Sequence, residues 1–125
     1  MNNLLLIFLG GGLGSLARYG VGRALAPWSL SLPYGTLTAN VLACVVLGFF
    51  TGMVALRTSD AVLPYRAFIA VGFCGGFSTF STFSNETLIL LMNNRWGDAV
   101  FNVGLSIILC LIASFLGLWL GKLAV

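Results

Sequence analysis

The chain has 125 residues, of which 59% are hydrophobic and only 7% charged, and its mean hydropathy is +1.05. A soluble domain carries about 25% charged residues, so most of this chain's surface must face lipid rather than water. A net charge of +3 from scattered cations is no nucleic-acid footprint, which needs cations clustered on one face.

Length alone predicts one domain, residues 1–125, built from transmembrane helices. The N-terminus, Met1-Asn2-Asn3-Leu4, lacks the basic region of a signal peptide. It runs into Gly10-Gly11-Gly12 rather than a small-residue cleavage site, so it is expected to begin a retained first helix. Four segments carry the roughly 20 apolar residues that a helix needs to cross a bilayer. The first, Leu4–Val21, is apolar apart from Ser15 and Arg18, and the second, Gly35–Leu56, holds no charge. The third, Ala67–Leu91, contains only Glu86, and the fourth, Ala99–Gly121, is again uncharged. Residues 22–34, 57–66 and 92–98, marked by Pro27, Pro33, Pro64 and polar residues, are expected to be loops. No strand-length alternation repeats, which excludes a β-barrel.

Glycines at close spacing, Gly10, Gly11, Gly12 and Gly14 in the first span and Gly48 and Gly52 in the second, permit close helix approach. Four such helices can hardly enclose a wet pore, so oligomerisation is expected, most simply a twofold dimer. With four spans, Arg57, Arg66 and Lys122 lie on one side and Arg18, Arg23 and Arg95 on the other. Three cations face three, and the positive-inside bias that orients a membrane protein is missing. Either the balance is accidental or the chain inserts both ways up and pairs antiparallel.

The third span is a poor helix in its middle, Gly72-Phe73-Cys74-Gly75-Gly76-Phe77-Ser78-Thr79-Phe80-Ser81-Thr82-Phe83-Ser84-Asn85. Glycine costs about 1 kcal/mol against alanine in a helix, and Ser and Thr compete for the backbone's hydrogen bonds. A break is expected near Gly75–Thr79, and in lipid a break survives only where protein or a water-filled cavity satisfies the freed groups. Broken transporter helices offer carbonyls to cations and helix N-termini to anions, which makes this segment a candidate ion site. Phe77, Phe80 and Phe83 recur at a period of three, predicting a ladder of rings on one face. Ring edges would suit an anion and ring faces a cation; a plain packed aromatic stripe is the other reading.

Three more residues have two readings each. Asn40 is either an interhelical hydrogen-bonding device or an ion ligand. Arg18 is either a snorkelling anchor or a vestibule charge. Glu86 is either an interfacial cap or a functional acid. Cys44, Cys74 and Cys110, one to a helix with no His in the chain, read as small apolar residues, with neither metal-ligand spacing nor a disulfide framework.

The glycine-rich Gly10–Gly14 run with Ala17-Arg18-Tyr19, Gly35-Thr36-Leu37 with Asn40, and above all the third-span string just quoted closely resemble the Fluc (CrcB) family of fluoride channels over nearly the whole chain. The resemblance implies an all-α, four-helix channel domain with a broken third helix, assembled as an antiparallel, dual-topology homodimer in the cell's inner (plasma) membrane. Two fluoride pores and a central structural sodium ion are implied with it. It implies that Phe80 and Phe83 contact fluoride by their ring edges and that Asn40 donates to it. Thr79, Ser81 and Thr82 would add hydroxyls, and carbonyls of Gly75 and Ser78 would hold the sodium. Arg18 matches a vestibule arginine and Glu86 the acid that follows the signature. Ser106, Cys110 and Ser114 share one face of the fourth span and match a polar track, from which Cys110 departs because a thiol is a weak donor.

Passive export of cytoplasmic fluoride is therefore the expected function, and no nucleophile–base pair suggests an enzyme. A small proton-coupled exporter of organic cations, with Glu86 as its carboxylate, is the alternative. A non-transporting assembly subunit is a third possibility, which the interrupted helix argues against.

Overall fold

Each of the four apolar segments folds into a helical span long and apolar enough to cross a membrane. The computed structural model describes residues 2–57 and 59–125, so Met1 and Thr58 lie outside it. Helix α1 is Asn3–Leu25, capped by the Asn2 side chain, which accepts from the Leu4 amide at 3.0 Å. Helix α2 is Tyr34–Val54. The third span divides into α3, residues 63–77, and α4, Phe80–Met92; within α3, Arg66–Cys74 is wound as a π-helix. Helix α5, Trp96–Leu123, completes the bundle.

The helices outrun the expected loops. α1 continues a turn past Val21, Pro27 sits in a short 3-10 turn Ala26–Trp28, and Arg66 is already helical. The last connection shrinks to a tight turn closed by Arg95 N–H on Leu90 C=O and Asn94 N–H on Leu91 C=O. Asn94 adopts φ 58° there, a conformation Asn tolerates at a helix C-terminus. Just beyond it Arg95 pairs with Asp98 at 2.7 Å and donates to the Ser31 carbonyl, tying this turn to the loop before α2.

The interior is made mostly of small residues. Gly10, Gly14, Ala39, Ala43, Gly48, Gly52, Ala113, Gly117 and Gly121 are buried, whereas Phe8, Leu16, Val100, Leu111 and Phe115 are exposed. That inversion fits a lipid solvent, where association depends on close backbone approach rather than on hiding large apolar side chains. α1 packs mainly on α3, and α2 packs most extensively on α5. Both pairs run parallel: Gly10 meets Phe68–Phe73 and Gly14 meets Phe73–Phe77, while Gly48 meets Ser114–Leu118 and Gly52 meets Leu118–Lys122. A β-carbon on Gly14 or Gly48 would press into the carbonyl oxygen of Phe73 or Ser114. The glycines expected to allow close helix approach largely do so within the chain, while Gly12 has open space beside it.

The cations divide as the sequence predicts. Arg18 and Arg23 share a cavity with Gly35, and Arg95 reaches Ser31 at that same end. Arg57 and Lys122 share another cavity at the opposite end, where Arg66 lies beside Ala55.

Candidate functional site

The third span breaks at Ser78 (φ −78°, ψ 155°) and Thr79 (φ −153°, ψ 118°), both extended. The glycine pair expected to form part of the break is helical instead, within the turn Gly75–Phe77. Packing explains the difference: a β-carbon at Gly76 would collide with the Gly11 carbonyl of α1, so Gly76 serves close approach. The polar residues downstream supply the interruption, since their side chains replace the lost helical hydrogen bonds.

Asn40 of α2 is the main replacement. Its Oδ1 accepts from Thr79 N–H at 2.7 Å, and its Nδ2 donates to Thr79 C=O at 3.2 Å. The amide that a continuous helix would give to the Gly75 carbonyl is thereby diverted to Asn40. Ser78 donates its hydroxyl to Cys74 C=O at 2.7 Å. Thr79 caps α4, its Oγ1 accepting from Thr82 N–H at 3.2 Å and donating to Thr82 Oγ1 at 3.1 Å; it lies 3.3 Å from Ser81 Oγ. Asn40 and Thr79 thus answer part of the interrupted backbone with side chains, as a break in lipid requires.

The three-ring ladder does not form, because the break separates Phe77 from the other two. Phe77 is 5% exposed and packs against Phe73 with ring centroids 5.4 Å apart. Phe80 and Phe83 pair on α4 at 5.7 Å with planes tilted by 44°, and Phe80 is 79% exposed.

A cavity of about 270 Å³ lies against the break, lined by Asn40, Cys44, Ser78, Thr79, Phe80, Phe83, Ser106, Ile107 and Cys110. It collects most of the candidate residues from four segments of the chain. Ser114 lies outside it, a turn further along α5 where Gly48 of α2 crosses. Gly75 also lies outside, in a smaller space shared with Ser78, Cys44 and Cys74. Among the described residues no charged side chain lines the main cavity. Its potential comes from the start of α4, where the first amides of a helix lack internal partners and favour negative charge.

A second cavity, about 320 Å³, lies at the outer end of α1 and α2 and contains Arg18 and Arg23 with Thr36 and Thr82. Glu86 does not cap a helix end: Thr36 donates to its Oε1 at 2.8 Å, while its Oε2 is buried without a hydrogen-bond partner. The carboxylate on α4 is thus tied to α2 through Thr36, itself a lining residue of the arginine cavity.

Thr36, Cys44 and Arg23 are among the residues of these cavities that were not selected as site residues from sequence. A signal existed for two of them. Thr36, Asn40 and Cys44 follow one another at four-residue spacing, so they share a face of α2. That face confronts the Ser106–Cys110 face of α5 across the cavity. Cys44 and Cys110 line the cavity, while Cys74 is buried away from it.

This is a multi-pass membrane protein with an uncharged, largely apolar cavity that carries a few polar groups at a broken span. The chain belongs to the CrcB family: the family model described as "CrcB-like protein, Camphor Resistance (CrcB)" matches residues 5–118. It is 45% identical to the fluoride-specific ion channel FluC of Gluconobacter oxydans over 118 residues, covering 90% of this chain and 80% of that one. It is 38% identical to the protein of the same name from Bacteroides fragilis, covering 98% of both chains. The Shewanella oneidensis protein of that name is 42% identical over 94% of both chains.

Proposed function

We propose that this chain is a passive, fluoride-selective channel of the plasma membrane that exports cytoplasmic fluoride, and that two copies assemble antiparallel around two pores. The observation that carries the reading is the cavity at Ser78–Thr79, where an asparagine, a serine hydroxyl, a helix N-terminus and two aromatic rings converge without any fixed charge. Fluoride is strongly hydrated, so a narrow path must replace its water with donors and still release it. Asn40 spends one Nδ2 hydrogen on Thr79 and keeps the second for the ion. Ser106 supplies a hydroxyl, and the positive edges of Phe80 and Phe83 supply the apolar remainder. Thr79, Ser81 and Thr82 extend the hydroxyls toward the vestibule, where Arg18 and Arg23 raise the local anion concentration. Ser114 continues the polar face of α5 beyond the cavity.

The antiparallel dimer is supported by the three-against-three cations and by the exposed Phe80 ring and open break, which a second copy would cover. Structural sodium fits the same region: the Gly75 carbonyl, freed by Asn40's capture of the Thr79 amide, and the Ser78 carbonyl, freed as the Thr82 amide turns to Thr79 Oγ1, would hold it. Its positive charge would offset anion repulsion and link the two copies. Proton-coupled exchange of organic cations is not favoured by relatives named as ion channels.

The test is efflux from liposomes reconstituted with the purified chain. Fluoride should leave rapidly and chloride far more slowly; equal rates for the two would refute selectivity.

A further inference from the structure

The cavity wall holds a feature that fluoride conduction leaves unused. α2 and α5 run parallel in a fixed register, with Gly48 against Ser114. One turn back along both helices brings Cys44 to Cys110, and one more brings Asn40 to Ser106. All four of these residues line the one cavity. Cys44 and Cys110 are side-chain neighbours, both are free thiols, and both are only partly buried.

We propose that Cys44 and Cys110 form a two-thiol site for a soft monovalent cation, Cu(I) or Ag(I), whose binding blocks the pore. This rests on the cavity being the fluoride pathway. Soft thiolate ligands select such ions, and two of them suffice for linear coordination. Among the described residues no group of three or more His, Cys, Asp or Glu side chains could hold a metal, so no larger metal cluster competes. The step balances simply. Two S–H bonds break, two metal–sulfur bonds form, and two protons pass to water, because a coordinating thiol is deprotonated. The cation carries one positive charge and the two thiolates two negative ones, which leaves the bound site singly negative. An anion passing Asn40 and Ser106 then meets both an obstructing atom and a like charge at close range. Sodium, a hard cation, does not compete for sulfur.

Cys74 supplies the internal control. It is buried and shares only the separate, smaller space with Cys44. Silver ion is the probe, in chloride-free buffer because silver fluoride stays dissolved. Fluoride efflux from liposomes should fall to the protein-free level in the parent chain and in Cys74→Ser, and recover on adding dithiothreitol. Equilibrium dialysis of the detergent-solubilised protein should find one silver ion held per chain in both. Cys44→Ser and Cys110→Ser should each lose the bound silver and the block, judged against their own silver-free flux. Alanine versions serve if a serine variant does not elute like the parent. Block and binding that survive in either variant, or that follow Cys74, would overturn the proposal. So would a parent chain that binds no silver. A parent chain that conducts no fluoride but binds silver through Cys44 and Cys110 would defeat the channel reading and the block, leaving the two-thiol site standing.

Discussion

Asn40 and Thr79 hold each other by two hydrogen bonds, the Thr79 amide on Asn40 Oδ1 at 2.7 Å and Asn40 Nδ2 on the Thr79 carbonyl at 3.2 Å. The side-chain amide mimics a peptide group, so an extended residue in mid-membrane is satisfied as if paired in a sheet. Because the clasp consumes one Nδ2 hydrogen and leaves the other, one residue both stabilises the break and faces the cavity. Asn40→Asp keeps the acceptor, removes both donors and adds a charge. Efflux should fall by about tenfold or more, since a hydrogen bond to a charged group is worth about 1.5–3 kcal/mol and the new carboxylate repels the anion. Efflux within a factor of a few of the parent would rule out Asn40 as a donor to the ion.

Phe80 and Phe83 touch each other but no third ring. Replacement of Phe80 by Ile keeps apolar bulk and removes the polarised ring edge. Fluoride flux should drop strongly while the protein elutes like the parent. Normal conduction by this variant would show that the rings merely fill space.

The glycine positions separate by what lies opposite. Gly48→Ala places a methyl group on the Ser114 carbonyl and Gly12→Ala meets nothing within 4 Å. Overpacking typically costs about 1–3 kcal/mol, so Gly48→Ala should lower the midpoint of thermal unfolding in detergent. Gly12→Ala should leave it unchanged or raise it slightly. The reverse order would contradict the α2–α5 contact.

Thr36 and Glu86 join α2 to α4 across fifty residues of sequence by one hydrogen bond of 2.8 Å. Thr36→Val, Glu86→Ala and the double variant form a cycle in which the coupling should reach at least about 0.6 kcal/mol, the average for interhelical hydrogen bonds in membranes. Unfolding in detergent reads this out, and strictly additive effects would mean that the bond contributes nothing.

Removing Arg57 and Lys122 together leaves Arg66 alone against Arg18, Arg23 and Arg95, which restores an orienting bias. If the working unit is antiparallel, cells expressing only this variant should lose fluoride resistance. Co-expression with a variant lacking Arg18 and Arg23 should recover it. Full activity of the biased chain alone would point to parallel assembly.

Much of this protein was legible in the residue string. Four spans, the even division of cations and an interruption in the third span follow from hydropathy, side counting and the clustering of Gly, Ser and Thr, because in lipid these local properties decide what can cross. The break's exact position was not legible. Whether Gly75–Gly76 or Ser78–Thr79 leaves the helix depends on Gly11 of α1 pressing on Gly76 and on Asn40 of α2 receiving Thr79. Both partners are distant in sequence, and only the packed bundle brings them into contact. The same holds for Phe77, whose period-three spacing placed it with Phe80 and Phe83 until the break turned the chain between them. Spacing on α2 put Thr36, Asn40 and Cys44 on one face, and the sequence by itself determined that. Only the tertiary structure decided what that face meets, since the register of α2 against α5 is set by glycines lying against carbonyl oxygens of the other helix.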